Sequence, residues 1–142
     1  MAIRQISVFV ENRPGKLYET LKTIADEEIN IRALSISETK DFGILRLITS
    51  DTPKTIEVLS KEMIINTTSV IAAKLEDRVG ALCYVLDYLA KAEVNIEYVY
   101  AFTASAEFGA YVVIRVDDVE KAQKVLDDNN IPSLDEEDIK DI

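Results

Sequence analysis

Asn12 and Gly15 are the residues of this chain best placed to hold a small molecule. They lie in the string Glu11-Asn12-Arg13-Pro14-Gly15, between an alternating apolar run and a helical one. A helix starting here offers backbone N–H groups with no internal partner, at the positive end of its dipole. Such an end suits a carboxylate. Asn12 can both donate and accept hydrogen bonds, as the two ends of a zwitterionic amino acid require. Gly15 has no Cβ, so a ligand can approach its backbone closely. The same five residues would also serve as no more than a tight turn and a cap.

The string returns as Glu76-Asp77-Arg78-Val79-Gly80. At an offset of about 65 residues, Glu11, Arg13, Gly15, Leu17, Leu21, Ala25, Glu28, Asn30 and Ile31 recur as Glu76, Arg78, Gly80, Leu82, Leu86, Ala90, Glu93, Asn95 and Ile96. A repeat this long is a small domain rather than one supersecondary unit. The chain therefore divides into residues 1–66 and 67–142. A domain of ~65 residues buries only about 60% of its unfolded surface and is marginal alone. Two copies imply two similar sites, or one site built between copies.

Composition removes whole classes of function. The net charge is −10, from 16 basic and 26 acidic residues. No basic stripe exists to displace counterions from phosphates, which argues against nucleic acid and against an anionic membrane surface. No apolar run approaches the roughly 20 residues that span a bilayer, and the first ten residues do not read as a signal peptide. A cytoplasmic protein is expected. Histidine is absent, which removes the usual general base and zinc ligand. No catalytic residue, metal site or cofactor is expected. The single cysteine, Cys83, is expected in the core as a small apolar thiol.

Each copy reads strand, helix, strand, strand, helix. Ile6, Val8 and Val10 alternate with Gln5, Ser7 and Phe9, a half-buried strand. Pro14, near the first helical position, opens a helix. Leu17, Leu21, Ile24 and Ala25 then follow at helical spacing, as do Leu82, Leu86, Leu89 and Ala90. Strands are expected at Ile31–Glu38 and Ile96–Thr103, turns at Lys40–Gly43 and Ser105–Gly109, and third strands at Ile44–Thr49 and Ala110–Val116. Asp51 and Asp117 are expected to cap the second helices, Asp117 in a capping box with Glu120. The acidic tail Asp135–Asp138 reads as solvated.

A βαββαβ order folds as a four-stranded antiparallel sheet with both helices on one face, so the expected class is α+β with two ferredoxin-like repeats. The other face is left bare. Ala110–Ile114 is apolar at nearly every position, the pattern of a strand covered on both sides. Tyr98, Tyr100 and Phe102 form an aromatic row beside it. A subunit or domain interface is the expectation for this face, with an aromatic ligand platform as the sharper alternative, and a homodimer is expected from the unpaired edge or the apolar face. The fourth strands are the difficulty, because only Met63–Leu75 links the copies. That segment holds either a short strand and a turn, or one long strand serving both copies.

The string V-x-N-R-P-G-x-L, followed by Asn30-Ile31, resembles the ACT domain, above all the regulatory ACT domain of phosphoglycerate dehydrogenase. The resemblance covers both copies and is weaker in the second, where Asp77 replaces Asn and Val79 replaces Pro. It implies a small regulatory module that senses a free amino acid and usually controls an enzyme on the same chain; 142 residues leave room only for the pair, so a non-catalytic protein with a separate metabolic enzyme as partner is expected. In that family two domains often join through their second strands, with the effector between the strand-to-helix turn of one and the start of the second strand of the other. Carried over, Asn12, Pro14 and Gly15 face Asn95, while Asp77 and Gly80 face Asn30; Glu11, Arg13, Ile31, Arg78 and Ile96 complete the candidate set.

That joining sets a distance problem. Adjoining second strands put the two first strands five spacings apart, roughly 24 Å. Met63–Leu75 spans about 43 Å fully extended, too little to cross the gap and supply two strands. Either a fourth strand is lost, or the copies pair differently and a second chain supplies the edge. The competing function is a structural protein-interaction module whose ligand sites are vestigial.

Overall fold

The computed structural model describes residues 2–38, 40–103 and 109–142. Two compact units emerge, Arg4–Thr68 and Ser69–Ile142, the second grouped with Met1–Ile3.

The first unit contains β1 (Ile3–Glu11), α1 (Lys16–Asp26), β2 (Ile31–Glu38), β3 (Phe42–Thr49), α2 (Thr52–Leu59) and the start of β4 (Ile65–Leu75). Its strand order is β2-β3-β1-β4. β1 and β2 both pair antiparallel with β3. Alternation along β1 turns Ile6, Val8 and Val10 to one side, where they meet Ile24 of α1 and Leu59 of α2 in a closed core with Leu45 and Leu47. Both helices thus cover one face of the sheet, the ferredoxin-like arrangement.

The second unit repeats this with the rest of β4, α3 (Ala81–Lys91), β5 (Ile96–Ala101), β6 (Ala110–Val116) and α4 (Val119–Asp128), in the order β4-β6-β5. Its core pairs Ile71 and Ala73 with Leu89, Ile114 and Leu126. These are the counterparts of Ile6, Val8, Ile24, Leu47 and Leu59, so the repeat extends from the sequence to the packing.

The fourth strands resolve as one of the two alternatives. β4 is a single long strand that closes the first repeat and opens the second. In the first unit the Phe9 N–H donates to the carbonyl of Ile64 at 3.1 Å. In the second, residues 132–134 take that place: the Lys74 N–H donates to the Pro132 carbonyl at 2.8 Å and the Leu134 N–H to the Ala72 carbonyl at 3.0 Å. β2 and β5 are therefore edge strands, paired with β3 and β6 respectively.

Several local expectations need correction. Pro14 lies outside α1, because Gly15 is the N-cap and the helix begins at Lys16. Gly43 is inside β3, opposite Val10, so the first hairpin turn ends earlier than Lys40–Gly43. The second expected turn, Ser105–Gly109, lies outside the described residues except for Gly109. Asp51 caps α2 as expected, accepting from the Lys54 N–H at 3.1 Å. The cap of α4 is Asp118, accepting from the Lys121 N–H at 3.0 Å, not Asp117. The Asp117 carboxylate is instead taken by the Asn95 N–H at 3.0 Å. Glu120 therefore falls at N2, out of register for a capping box.

Cys83 is exposed. The inward line of α3 runs through Leu82, Val85 and Leu89, and Cys83 lies about 100° around the helix from Leu82. Ala25 and Ala90 are exposed for the same reason, at the margin of each stripe.

The apolar strand is covered within the chain, so it does not argue for a partner: Val112, Val113 and Ile114 are at most 4% exposed. Val112 and Ile114 face α3 and α4; Tyr111 and Val113 face the other way. On that side Tyr98 and Tyr100 stack at 6.3 Å and Phe102 meets Tyr111 at 5.9 Å. None of the four tail acids is buried, as expected. Asp135 and Asp138 accept from each other's N–H at 2.9 Å, opening a short α5 (Asp138–Asp141). Leu134 and Ile139 on either side are buried. Burial raises the Tyr111 phenol above its usual pKa, and the nearby Asp138 carboxylate raises it further.

Candidate functional site

α1 and α3 start differently from α2 and α4. The latter two are capped by aspartates. The former two begin at Gly15 and Gly80, and neither receives a side-chain cap. The Lys16 and Ala81 N–H groups donate to the Arg13 and Arg78 carbonyls at 3.3 Å, and the N–H groups of the next two residues in each helix are the ones left without an intrahelical partner. The two glycines have φ values of +84° and +82°, in the left-handed region that L side chains adopt at a cost. Around Gly15 an added Cβ would meet nothing within 4 Å. The glycine is required by the backbone path, and close approach of a ligand is a consequence rather than the cause. Gly15→Ala and Gly80→Ala are each expected to lower stability by about 1–2 kcal/mol, measured by chemical denaturation.

Equivalent grooves open beside these two helix ends. The first, of about 240 Å³, is lined by Val10, Glu11, Asn12, Arg13, Leu17, Ile36, Glu38 and Gly43. The second, of about 960 Å³, includes the counterparts Leu75, Glu76, Asp77, Arg78 and Leu82, with Gly80, Lys74 and Cys83. In each, an apolar floor from the strand end and the first helical leucine meets the polar turn. Ile36 reaches the first groove over Gly43, whose absent Cβ leaves room for the isoleucine: a Cβ there would lie 3.3 Å from Ile36 Cδ1.

Both turns are held in the same way. The Arg13 N–H donates to the Glu11 carbonyl at 2.9 Å, and Arg78 does so to Glu76 at 2.9 Å. The side chains repeat the pairing, Arg13 Nε to Glu11 Oε2 at 3.0 Å and Arg78 Nε to Glu76 Oε2 at 2.6 Å. Glu76 holds the Arg78 guanidinium above its usual pKa, chiefly through this hydrogen bond. These exposed pairs fix geometry more than they add stability. The Asn12 N–H is tied to the Asp41 carbonyl at 3.0 Å, leaving its side-chain amide at the groove. Pro14 and Gly15 shape the turn without lining the first groove.

Asn30 and Asn95 are elsewhere. Each follows the C-terminus of its helix, and eleven residues at ~1.5 Å rise put it about 16 Å from the N-terminal groove of its own unit. Their backbones are anchored alike: the Asn30 N–H donates to Ser50 Oγ at 2.9 Å, and the Asn95 N–H to Asp117 Oδ1 at 3.0 Å. Both residues are exposed at the head of an edge strand. Ile31 and Ile96 beside them pack against the two cores. Within one unit the structure thus gathers Glu11–Arg13, or Glu76–Arg78 with Gly80, but not the Asn-Ile pair. The groove-lining Leu17 and Ile36 were not picked out from sequence. The recurrence of Leu17 as Leu82 next to the turn was the available signal for one of them.

The whole chain, residues 1–142, matches the family described as an ACT domain pair. The protein belongs to that family. A similar solved structure is that of protein BT0572 from Bacteroides thetaiotaomicron, with 37% identity and a TM-score of 0.91, covering 100% of this chain and 98% of that one. The ACT pair also shares its fold with the ligand-free regulatory subunit of aspartate kinase from Thermus thermophilus, at 14% identity and a TM-score of 0.61, over 88% of this chain and 91% of that one. Aspartate kinase from Synechocystis aligns over 90% of this chain and 26% of its own, at 21% identity and a TM-score of 0.56. No curated protein matches the ACT pair. None of its described helices is long and apolar enough to cross a membrane.

Proposed function

We propose that this ACT pair is a non-catalytic regulator that binds a free amino acid in the grooves at the N-termini of α1 and α3. The observation that carries this is the pair of equivalent grooves at the two helix ends left without side-chain caps. The α-carboxylate lies against the N–H groups of the first turn, where the dipole favours negative charge. Asn12 or Asp77 takes the α-ammonium, and the ligand side chain rests on the apolar floor. The resemblance of Glu11–Gly15 to the phosphoglycerate dehydrogenase regulatory domain supports the same ligand class. The acid at Asp77 makes the second groove better suited to a cation than the first, so the two need not share one affinity.

Thermal denaturation across the common amino acids tests this. One of them at 100 times its Kd is expected to stabilise the fold by roughly 2.7 kcal/mol. Absence of a shift with every amino acid would favour an interaction module instead.

The effective species in this proposal is a homodimer, with a second copy along the edge strands β2 and β5, which bring Asn30 and Asn95 to the grooves. Light scattering at micromolar concentration is expected to give twice the 15.9 kDa of one chain; a mass near 15.9 kDa itself would contradict the dimer. A cytoplasmic setting, where free amino acids are sensed, and a separate metabolic enzyme as the regulated partner complete the proposal.

A further inference from the structure

The second repeat carries a feature that the duplication itself does not explain. On the flank of α3, away from Asp77 and Leu82, Tyr84 and Tyr88 stand one helical turn apart. They line a groove of about 510 Å³ that also includes Lys74, Arg78 and residues 129–132. That volume is within the roughly 300–1,000 Å³ of small-molecule sites. Comparison with the first repeat shows what built it. Glu19 and Thr23 stand where Tyr84 and Tyr88 are, Phe9 where Lys74 is, and Lys16 where Ala81 is.

Each exchange changes the chemistry in the same direction. In the first repeat Arg13 lies between two carboxylates, Glu11 at 3.0 Å and Glu19 at 3.6 Å. In the second, the replacement of Glu19 by Tyr84 leaves Arg78 with Glu76 alone, and the guanidinium lies 4.5 Å over the Tyr84 ring. Lys74 forms no ion pair with any described residue. The charged residues of the lining are then Lys74, Arg78 and Glu76, a net positive spot on a chain of net charge −10. Ala81 in place of a lysine opens the floor. Two tyrosine rings remain exposed, Tyr84 at 52% and Tyr88 at 37%.

We propose that this groove binds a small anion carrying a planar ring, an aryl phosphate or an aryl carboxylate, distinct from the amino acid held at the helix ends. The ring packs on Tyr84 and Tyr88, where offset or edge-to-face contact between aromatic groups is favourable. The anionic group meets Lys74 and the outer edge of Arg78. Positive charge draws the anion in despite the acidic chain, by a field that salt screens.

The test is a titration of the full chain with phenyl phosphate and with benzoate, followed by backbone amide NMR, with inorganic phosphate and phenol as half-ligands. At least one of the two aryl anions is expected to perturb residues 84–88 and 129–131, more tightly than either half-ligand and less tightly as salt is added. Tyr88→Ala is expected to weaken binding about tenfold, and Thr23→Ala, at the matching position of the first repeat, to leave it unchanged. Response to one aryl anion alone would identify phosphate or carboxylate as the group recognised. No response to either would overturn the proposal. So would perturbations at Asp77, Leu82 and Cys83 with residues 84–88 and 129–131 unmoved, equal binding of inorganic phosphate, or full affinity in Tyr88→Ala. Mapping on the unmodified chain keeps the test decisive should that variant fail to fold. Amino-acid binding at the N-terminus of α1 stands or falls separately, whereas the groove at α3 shares Lys74, Glu76, Arg78 and Ala81 with this one.

Discussion

Ile24→Ala and Leu89→Ala are each expected to destabilise the protein by about 2–5 kcal/mol. The two side chains occupy the same place in the two repeats, on α1 and α3, and both are fully buried. Each contacts the apolar face of its own sheet in a core that includes the strand pair behind it. Truncation removes the transfer free energy and leaves a cavity that tightly packed neighbours fill only in part. Comparable losses are expected because the cores are equivalent position by position. Cys83→Ser is the contrast. It lies six residues from Leu89 on the same helix but faces solvent, so its effect should stay within about 0.5 kcal/mol. Urea unfolding of the three variants measures all of this directly.

Division of the chain between Thr68 and Ser69 is expected to cost both halves their folded state. The cut falls inside β4. The first half keeps only residues 65–68 of that strand, and the second begins at Ser69 without Ile3, which groups with it and is 1% exposed. Each half is also of a size at which burial barely offsets chain entropy. Circular dichroism and heat denaturation of the separate halves should show no cooperative transition. Two halves that melt cooperatively would show that the shared strand is dispensable.

The sequence was most legible where its signals were duplicated. Apolar alternation in β1 and the stripe through Leu17, Leu21 and Ile24 recur about 65 residues later, and both copies fold as their pattern implies. Local boundaries were less legible because single residues compete for one role. Asp117 and Asp118 are adjacent carboxylates; which one caps α4 depends on Asn95, which comes from a different element and claims the first. Pro14 before Gly15 looks like a helix start, yet the left-handed turn at Gly15 pushes the start to Lys16. The fate of Cys83 turned on about 100° of helix rotation, finer than the stripe could define among four apolar neighbours.

The four acids of the tail are open to solvent as their composition implies; what composition did not show is that Leu134 and Ile139 at either side are buried. At the candidate site, the polar turn was visible from residue type and spacing. The apolar floor was not, because Ile36 reaches the groove only through the β2–β3 hairpin and the bare Cα of Gly43. The equivalence of the two grooves, and the absence of caps at α1 and α3 alone among the four longer helices, required coordinates.

The most direct test of the central claim is calorimetric titration of the stabilising amino acid into the protein and into its Asn12→Ala variant. The account predicts binding to the unaltered chain and a loss of about 1–3 kcal/mol on removal of the Asn12 amide, which leaves the ligand's polar group unpaired. Unchanged affinity in Asn12→Ala would contradict the assignment of the ligand to the groove at the N-terminus of α1.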